Sequence, residues 1–392
     1  MSNKTVLVSG ASVAGPALAY WLNRYGFAVT VVERGRALRP GGQAVDFKGE
    51  THRKVLEQMG ILDEVRARAT GKSDLVIIDE NDKELATIPG EFTGGDVEIL
   101  RGDLAAILFE RTERDVEYLF GDTITALGEA ESGVDVTFEN APPRTFDLVL
   151  GADGIHSAVR RLAFGAEDDY VDHLGYYYAV VGANRRGGTV DKDRAVGLMY
   201  NVPGKMAVVG GAKAPELYIF ASDRIDYDRN DIDAQKRLVA DAYVDVGWRV
   251  PEMLETLPDS SDFYLDSIAR VAMDRYTKGR VALVGDSAYG NTLGGFGTGL
   301  AIVGAYVLAG ELAAAGGDHV VAFERYDKVM HRYAKSARSV NAGPFMAPAS
   351  PLRIRLRNWT FKFGLPMRLM LKVTDMFATD IDLRDYPALV RS

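Results

Sequence analysis

Hydrophobic positions in the first 33 residues switch twice between two periods. Thr5-Val-Leu-Val-Ser9 is a short apolar run that reads as a buried strand, and Leu18, Leu22 and Tyr25 then recur at helical spacing. Gly26 ends that pattern, and Ala28-Val-Thr-Val-Val-Glu33 reads as a second strand. Pro16 suits a first helical turn, where its missing N–H is no loss. The result is a β-α-β unit of about 30 residues.

The same reading continues along the chain. Arg39–Asp46 is a glycine-bearing loop, followed by helical patterns at Arg53–Gly60 and Leu62–Ala69. Leu75–Asp79 and Glu84–Pro89 predict a hairpin turning at Asn81-Asp82. A helix runs from Leu100 to about Arg114. Strands are expected at Val116–Leu119, Thr123–Leu127, Val134–Glu139 and Phe146–Leu150. Between Tyr170 and Arg270 the texture becomes β-rich, with strands at Tyr176–Gly182, Val196–Tyr200, Lys205–Gly210, Leu217–Ser222 and Phe263–Val271 and a helix at Asp233–Val246. Arg280–Gly285 is a further strand, and Leu300–Ala315 and Val320–Ser339 are helices. No internal repeat or low-complexity tract interrupts this order.

Beyond residue 340, Pro344, Pro348 and Pro351 mark a connector. Leu352, Leu356, Trp359 and Phe363 then recur at helical spacing, as do Met370, Val373 and Phe377. Arg353, Arg355, Arg357, Lys362, Arg368 and Lys372 lie among them. A terminal helix docked by this apolar stripe, with its charges in water, is the favoured reading; a membrane surface is the other.

Composition narrows the function. The 392 residues are 47% hydrophobic and 26% charged, as in ordinary globular domains, and are long enough for two or three of them. A net charge of -9 argues against non-specific nucleic-acid binding. Without cysteine there is no disulfide, redox pair or thiolate metal site, so redox chemistry has to come from a cofactor. His52, His156, His173, His319 and His331 are scattered without metal-ligand spacing, and no metal site is expected. No hydrolase elbow or Walker loop is present. No apolar run reaches the roughly 18 residues of a membrane span, and no targeting segment is visible, so a cytoplasmic location is expected.

Chemistry-bearing residues fall in three groups. Gly10-Ala-Ser12-Val13-Ala14-Gly15 follows the first strand, with Glu33 closing the second. Such a loop brings backbone close to a pyrophosphate at a helix N-terminus, and the acidic residue meets an adenosine ribose. Ser12 replaces the usual middle glycine; its hydroxyl can donate to a phosphate. Glu33 repels a 2′-phosphate, so FAD or NAD suits better than NADP. A purely structural turn is the competing reading of this loop alone. The second group is Gly151-Ala-Asp153-Gly154-Ile-His156-Ser157-Ala-Val-Arg160, and the third Gly285-Asp286-Ser-Ala with Gly297-Thr298-Gly299. Asp153 or Asp286 alone could be a helix cap.

Together the three groups resemble the class A flavoprotein monooxygenases, the p-hydroxybenzoate-hydroxylase-like group, over roughly residues 3–340. The Gly-Ala-Ser-Val-Ala-Gly-Pro start resembles most the tetracycline-modifying and polyketide-hydroxylating members. The resemblance implies an α/β fold: a Rossmann-like FAD domain, an inserted antiparallel-sheet substrate domain and a C-terminal helical segment. The FAD domain would comprise residues 1–75, 95–170 and 275–340, the substrate side 76–94 and 171–274, and the C-terminal segment 341–392.

It also implies roles. FAD would be bound, NADPH or NADH a transient co-substrate, and O2 the oxidant, acting through a flavin C4a-hydroperoxide on an aromatic or polyketide-like small molecule. Gly10, Ser12, Val13, Ala14, Gly15, Glu33 and Arg34 would hold the adenosine and pyrophosphate side. Arg101 would reach the phosphate or ribityl chain, Gln43 the flavin ring, Asp153 the pyrophosphate and nicotinamide region, and Asp286 a ribityl hydroxyl. Gly297, Thr298 and Gly299 would open a helix at the flavin pyrimidine edge. Tyr289 stands where the family has histidine, and Leu293 where it has the proline whose carbonyl borders the reacting flavin edge. Tyr177, Met199, Tyr200, Phe220 and Phe296 are the substrate candidates on the inserted sheet and beside it. Alternatives are a flavin-fold protein that binds a reactive metabolite without turnover, and a flavin reductase or dehydrogenase not using O2. A flavin halogenase is disfavoured, because Trp21, Trp248 and Trp359 make no tryptophan-rich motif.

Overall fold

The structure, a computed structural model, describes residues 4–39, 41–71, 74–182, 196–210, 216–295, 297–335, 340–362 and 383–386. Two sheets organise it. The first has six strands in the order Thr277–Lys278, Val281–Leu283, Leu148–Gly151, Thr5–Ser9, Ala28–Glu33, Glu117–Phe120, parallel except for the first. Its strands are short and apolar on both faces, because both are covered, by helices such as Ala14–Arg24 and by the three-stranded meander Ile124–Ala130, Gly133–Phe138, Arg144–Phe146. Thr5–Ser9 lies between two later strands, Ala28–Glu33 on one side and Leu148–Gly151 on the other, so the chain winds away from it in opposite directions across the sheet. That reversal opens a crevice at the carboxyl ends of Ser9 and Gly151, the place where open α/β sheets bind ligands.

The second sheet has seven strands in the order Phe263–Val271, Val171–Val181, Glu216–Ala221, Lys205–Val209, Gly197–Val202, Leu75–Ile78, Glu84–Ile88. All its pairs are antiparallel except Gly197–Val202 with Leu75–Ile78. The early hairpin thus completes the inserted sheet. One face packs on the helices Ile232–Tyr243 and Val250–Thr256. The other looks toward the crevice and the C-terminal helices.

Several expectations shift by local chemistry. Phe146–Leu150 divides at Asp147, whose carboxylate accepts from the Thr5 N–H (2.8 Å) and hydroxyl (3.0 Å). Arg144–Phe146 joins a meander and Leu148–Gly151 the parallel sheet. The strand beginning at Val171 passes through a bulge at Gly175 (φ 83°), which reads in sequence as a break. Ala44–Phe47, which overlaps the end of the expected loop Arg39–Asp46, is a strand paired with Val97–Leu100. Val250–Thr256 is a helix the pattern does not predict, with Pro251 in its first turn, where its missing N–H is no loss.

Gly297–Ala314 is the one described helix long and apolar enough to cross a membrane, but 78% of it is buried in the core. The C-terminal helix Pro351–Lys362 corrects the docking expected of it. Leu352, Leu356 and Trp359 face outward, at 75%, 62% and 53% exposure, while Arg357, Asn358 and Phe361 face in. Arg357 explains the reversal: its guanidinium donates to the Phe345 and Met346 carbonyls (3.1 and 3.3 Å) and to Asn201 Oδ1 (2.6 Å). Phe361 packs edge-on against Phe92 and Phe345. Phe363, Met370, Val373 and Phe377 lie outside the described residues.

Candidate active site: the cofactor crevice

Backbone contacts that only glycine permits bring the three signatures together. Gly10 has φ +104°, and a Cβ there would lie 2.5 Å from the Ala152 carbonyl oxygen and 3.1 Å from Asp153 Cα. Gly285 has φ +69°, and its Cβ would press Ala14 at 3.1 Å and Ala301 at 3.3 Å. The first signature therefore touches the second, and the third touches the first. Arg160, fully buried, closes the ring by donating to the Ser287 carbonyl (3.0 Å), while Ser287 Oγ donates to the Gly151 carbonyl (2.6 Å).

Two helices begin at this junction. Ala14–Arg24 starts at Val13 with no side-chain cap and no acidic residue in its first turn. Gly297–Ala314 likewise has no acid in its first turn. Both present N–H groups and partial positive charge suited to an anion. Ser12 receives a hydrogen bond from Arg101 Nε (3.0 Å), so a guanidinium stands beside the first turn. The Arg101 and Gly102 N–H groups in turn hold the Gln43 and Gly41 carbonyls (3.2 and 2.9 Å), which sets the Gln43 loop against that arginine. Glu33 accepts from the Ala11 N–H and the Gly35 N–H, both at 2.8 Å, and Arg34 beside it is exposed.

The two signature aspartates behave differently. Asp153 is committed to its own loop: it accepts from Ser157 Oγ (2.5 Å), the Val159 N–H (3.1 Å) and Ser9 Oγ (3.3 Å). It shapes the turn and offers no free carboxylate. Asp286 caps nothing, makes no hydrogen bond to a described side chain, and is exposed. It is nonetheless hemmed in by protein, which raises its pKa, with Arg101 opposing the rise. An exposed carboxylate so surrounded lies on the wall of a deep cleft. A Cβ on Gly297 would be 3.7 Å from its Oδ1, so Asp286 stands at the mouth of the second helix.

The departures are absorbed locally. Tyr289 turns into the core, against Tyr276, and its hydroxyl occupies the space where a Gly304 side chain would be. Leu293 adopts φ +56°, which proline, fixed near -65°, cannot. Its turn is held by Gly294 N–H to the Asn291 carbonyl (3.0 Å) and by Thr292 N–H to the Ala269 carbonyl (2.9 Å). We expect Leu293→Gly to gain about 1 kcal/mol of stability by relieving left-handed strain, and Leu293→Pro to lose about 3 kcal/mol. Urea midpoints measure both; equal midpoints would show that the loop is not held as described.

Substrate candidates separate by face. Tyr178 senses Asp286 and Arg101, so the even positions of Val171–Val181 face the crevice. Tyr177 and Phe220, one residue out of step, stack on each other and pack toward Tyr243. Tyr200 stacks on Trp248 on that same far side. These three do not line the crevice, because strand alternation turns them away. Met199 has the right face but is fully buried beside Arg357. Phe296 lies outside the described residues.

Sequence reading also passed over two histidines. The buried His52 ring packs directly on Gly299. His156 bridges the two sheets: Nδ1 meets Glu167 at 2.9 Å and Nε2 meets both Asp266 oxygens at 3.0 Å, with Tyr264 donating to Asp266 (2.7 Å) and Arg229 to Glu167 (3.1 Å). The cluster opens on a groove of about 690 Å³ that also carries Arg34 and Arg224. Its histidine was legible in the second signature, but its two carboxylates come from distant elements.

Burial opposes charge on His156, yet hydrogen bonds to Asp266 and Glu167 outweigh it and raise its pKa above 6.5. Burial also opposes charge on Glu167, but His156 and Arg229 hold it down from 4.5 to about 2. The His156 contribution is therefore full below pH 6.5 and lost as pH rises through its folded value; the Glu167 contribution is full above pH 4.5 and lost toward pH 2. The Tm gap between wild type and His156→Gln should be widest between pH 4.5 and 6.5 and narrow on both sides. A gap independent of pH would contradict the ion cluster.

The crevice, its two helix starts free of acidic residues and the inserted sheet define a dinucleotide-binding fold with a substrate domain attached. Residues 3–338 match the FAD binding domain family, and the chain belongs to it. It is 38% identical over 341 residues to a flavin-dependent monooxygenase of Legionella longbeachae, covering 84% of this chain and 86% of that one. It is similar to the crystal structures of the tetracycline destructases Tet(51), at 31% identity and TM-score 0.80, and Tet(55), at 34% and 0.79. Each match covers 98% of this chain and 99% of the other. The resemblance carried by the three signatures holds: this is a class A flavin-dependent monooxygenase.

Proposed function

We propose that this FAD-dependent monooxygenase takes electrons from NADPH or NADH and transfers one oxygen atom of O2 to an aromatic or polyketide-like small molecule. Bound flavin supplies the electron transfer and oxygen activation. Asp286 carries the reading: a carboxylate with no hydrogen bond to a described side chain, held in a cleft between two anion-attracting helix starts.

The chain's residues would divide the work. The uncapped start of Ala14–Arg24, with Ser12 and Arg101, would receive the pyrophosphate. Glu33 would accept from the adenosine ribose while holding Ala11, and Asp286 from a ribityl hydroxyl. The start of Gly297–Ala314 would stabilise negative charge at the pyrimidine edge of reduced flavin. Gln43, the Leu293 turn, Tyr178 and Tyr264 would border the reacting side, where the apolar sheet face excludes water. The tetracycline destructase structures support a polycyclic, phenol-bearing substrate.

The test is NADPH and NADH consumption by FAD-loaded protein against a panel of phenolic polyketides, with mass spectrometry of the products. Stimulated consumption and a product heavier by one oxygen are expected. Consumption that proceeds equally without O2 would instead make it a reductase.

A further inference from the structure

We propose that the outer face of the C-terminal helix Pro351–Lys362 is a docking surface for an anionic lipid bilayer. The inference is independent of the reaction above. The helix is amphipathic in the sense opposite to a core helix. Its buried side carries a guanidinium, an amide and one phenyl ring; its exposed side carries Leu352, Leu356 and Trp359. At 3.6 residues per turn, those three fall within an arc of about 60°. Arg353 lies on one flank of the arc, Arg355 and Lys362 on the other, and all three are exposed. Such a stripe, rimmed by cations and bearing a tryptophan, matches the polar–apolar boundary of a bilayer.

Charge selects the partner. The whole chain carries 46 basic against 55 acidic residues, a net -9, yet residues 340–362 hold four cations and no acid. An anionic surface would be attracted at this helix and repelled elsewhere, which fixes the orientation of approach. A second copy is a poor occupant, because pairing the same stripe about a two-fold axis sets cations against cations. The helix is also held in place: Arg357 and Phe361 fix its inner side, which sets the direction in which Leu352 and Leu356 face.

The experiment is sedimentation of the full-length holoprotein with vesicles of phosphatidylcholine, or of phosphatidylcholine mixed equally with phosphatidylglycerol. Binding is expected to the mixed vesicles only, with release at high salt. The pair Arg353→Gln and Arg355→Gln should weaken it roughly 30-fold, at about 1 kcal/mol per basic residue. Leu356→Asp should abolish it. A blue shift of tryptophan emission on binding should vanish in Trp359→Phe. These positions are exposed, so flavin content and Tm should stay at wild-type values and verify folding. Equal binding to both vesicle types, no binding, or a dimer dispersed by Leu356→Asp would each overturn the proposal.

Discussion

Replacing Gly10 by alanine is expected to remove FAD from the purified protein and to destabilise it by about 3 kcal/mol or more. Two causes act together. The backbone at φ +104° lies where a side chain is strained, and the new methyl would stand 2.5 Å from the Ala152 oxygen. Every nearest atom is backbone, of Ala152 or Asp153, so no side chain can turn away to make room. Relief requires Ser9–Gly10 and Gly151–Asp153 to separate, and that separation opens the crevice. Urea unfolding, with the flavin-to-protein absorbance ratio, measures both effects. A variant with wild-type midpoint and flavin content would show that the two loops are not in contact.

Asp286→Ala should act on the cofactor alone. Its carboxylate caps no helix and is held against solvation by its surroundings, so removing it should leave the apoprotein as stable as before or slightly more so. Loss of a hydrogen bond from a ribityl hydroxyl to a charged acceptor should weaken FAD binding by about 1.5–3 kcal/mol, roughly 10- to 150-fold in Kd. Fluorescence titration of apoprotein with FAD measures this. A parallel loss of Tm in the apoprotein would mark Asp286 as a structural group. Asp153→Ala should show that contrary pattern, because its acceptors already hold Ser157, Val159 and Ser9.

Local sequence carried the crevice well because its parts are local. Glycine loops, strand ends and helix starts are each set within a few residues, and Thr5–Ser9, Ala28–Glu33 and Phe263–Val271 follow directly from apolar patterning. What pattern alone left open is orientation. Three consecutive tyrosines, Tyr176 to Tyr178, allow either parity, and only packing against Ile232–Tyr243 turns the middle one away from the crevice. The C-terminal helix misled for the opposite reason. Its apolar stripe is plain in sequence, yet carbonyls at Phe345 and Met346 and the amide of Asn201 supply a buried home for Arg357 that no helical periodicity encodes. Long-range pairs such as His156 with Asp266, 110 positions apart, were equally out of reach.

The most direct measurement is titration of folded apoprotein with FAD, followed by flavin absorbance and by thermal melting. The account predicts saturation at one FAD per chain and a Tm that rises with FAD concentration. Protein that melts cooperatively yet neither perturbs the flavin spectrum nor gains stability at saturating FAD would contradict it.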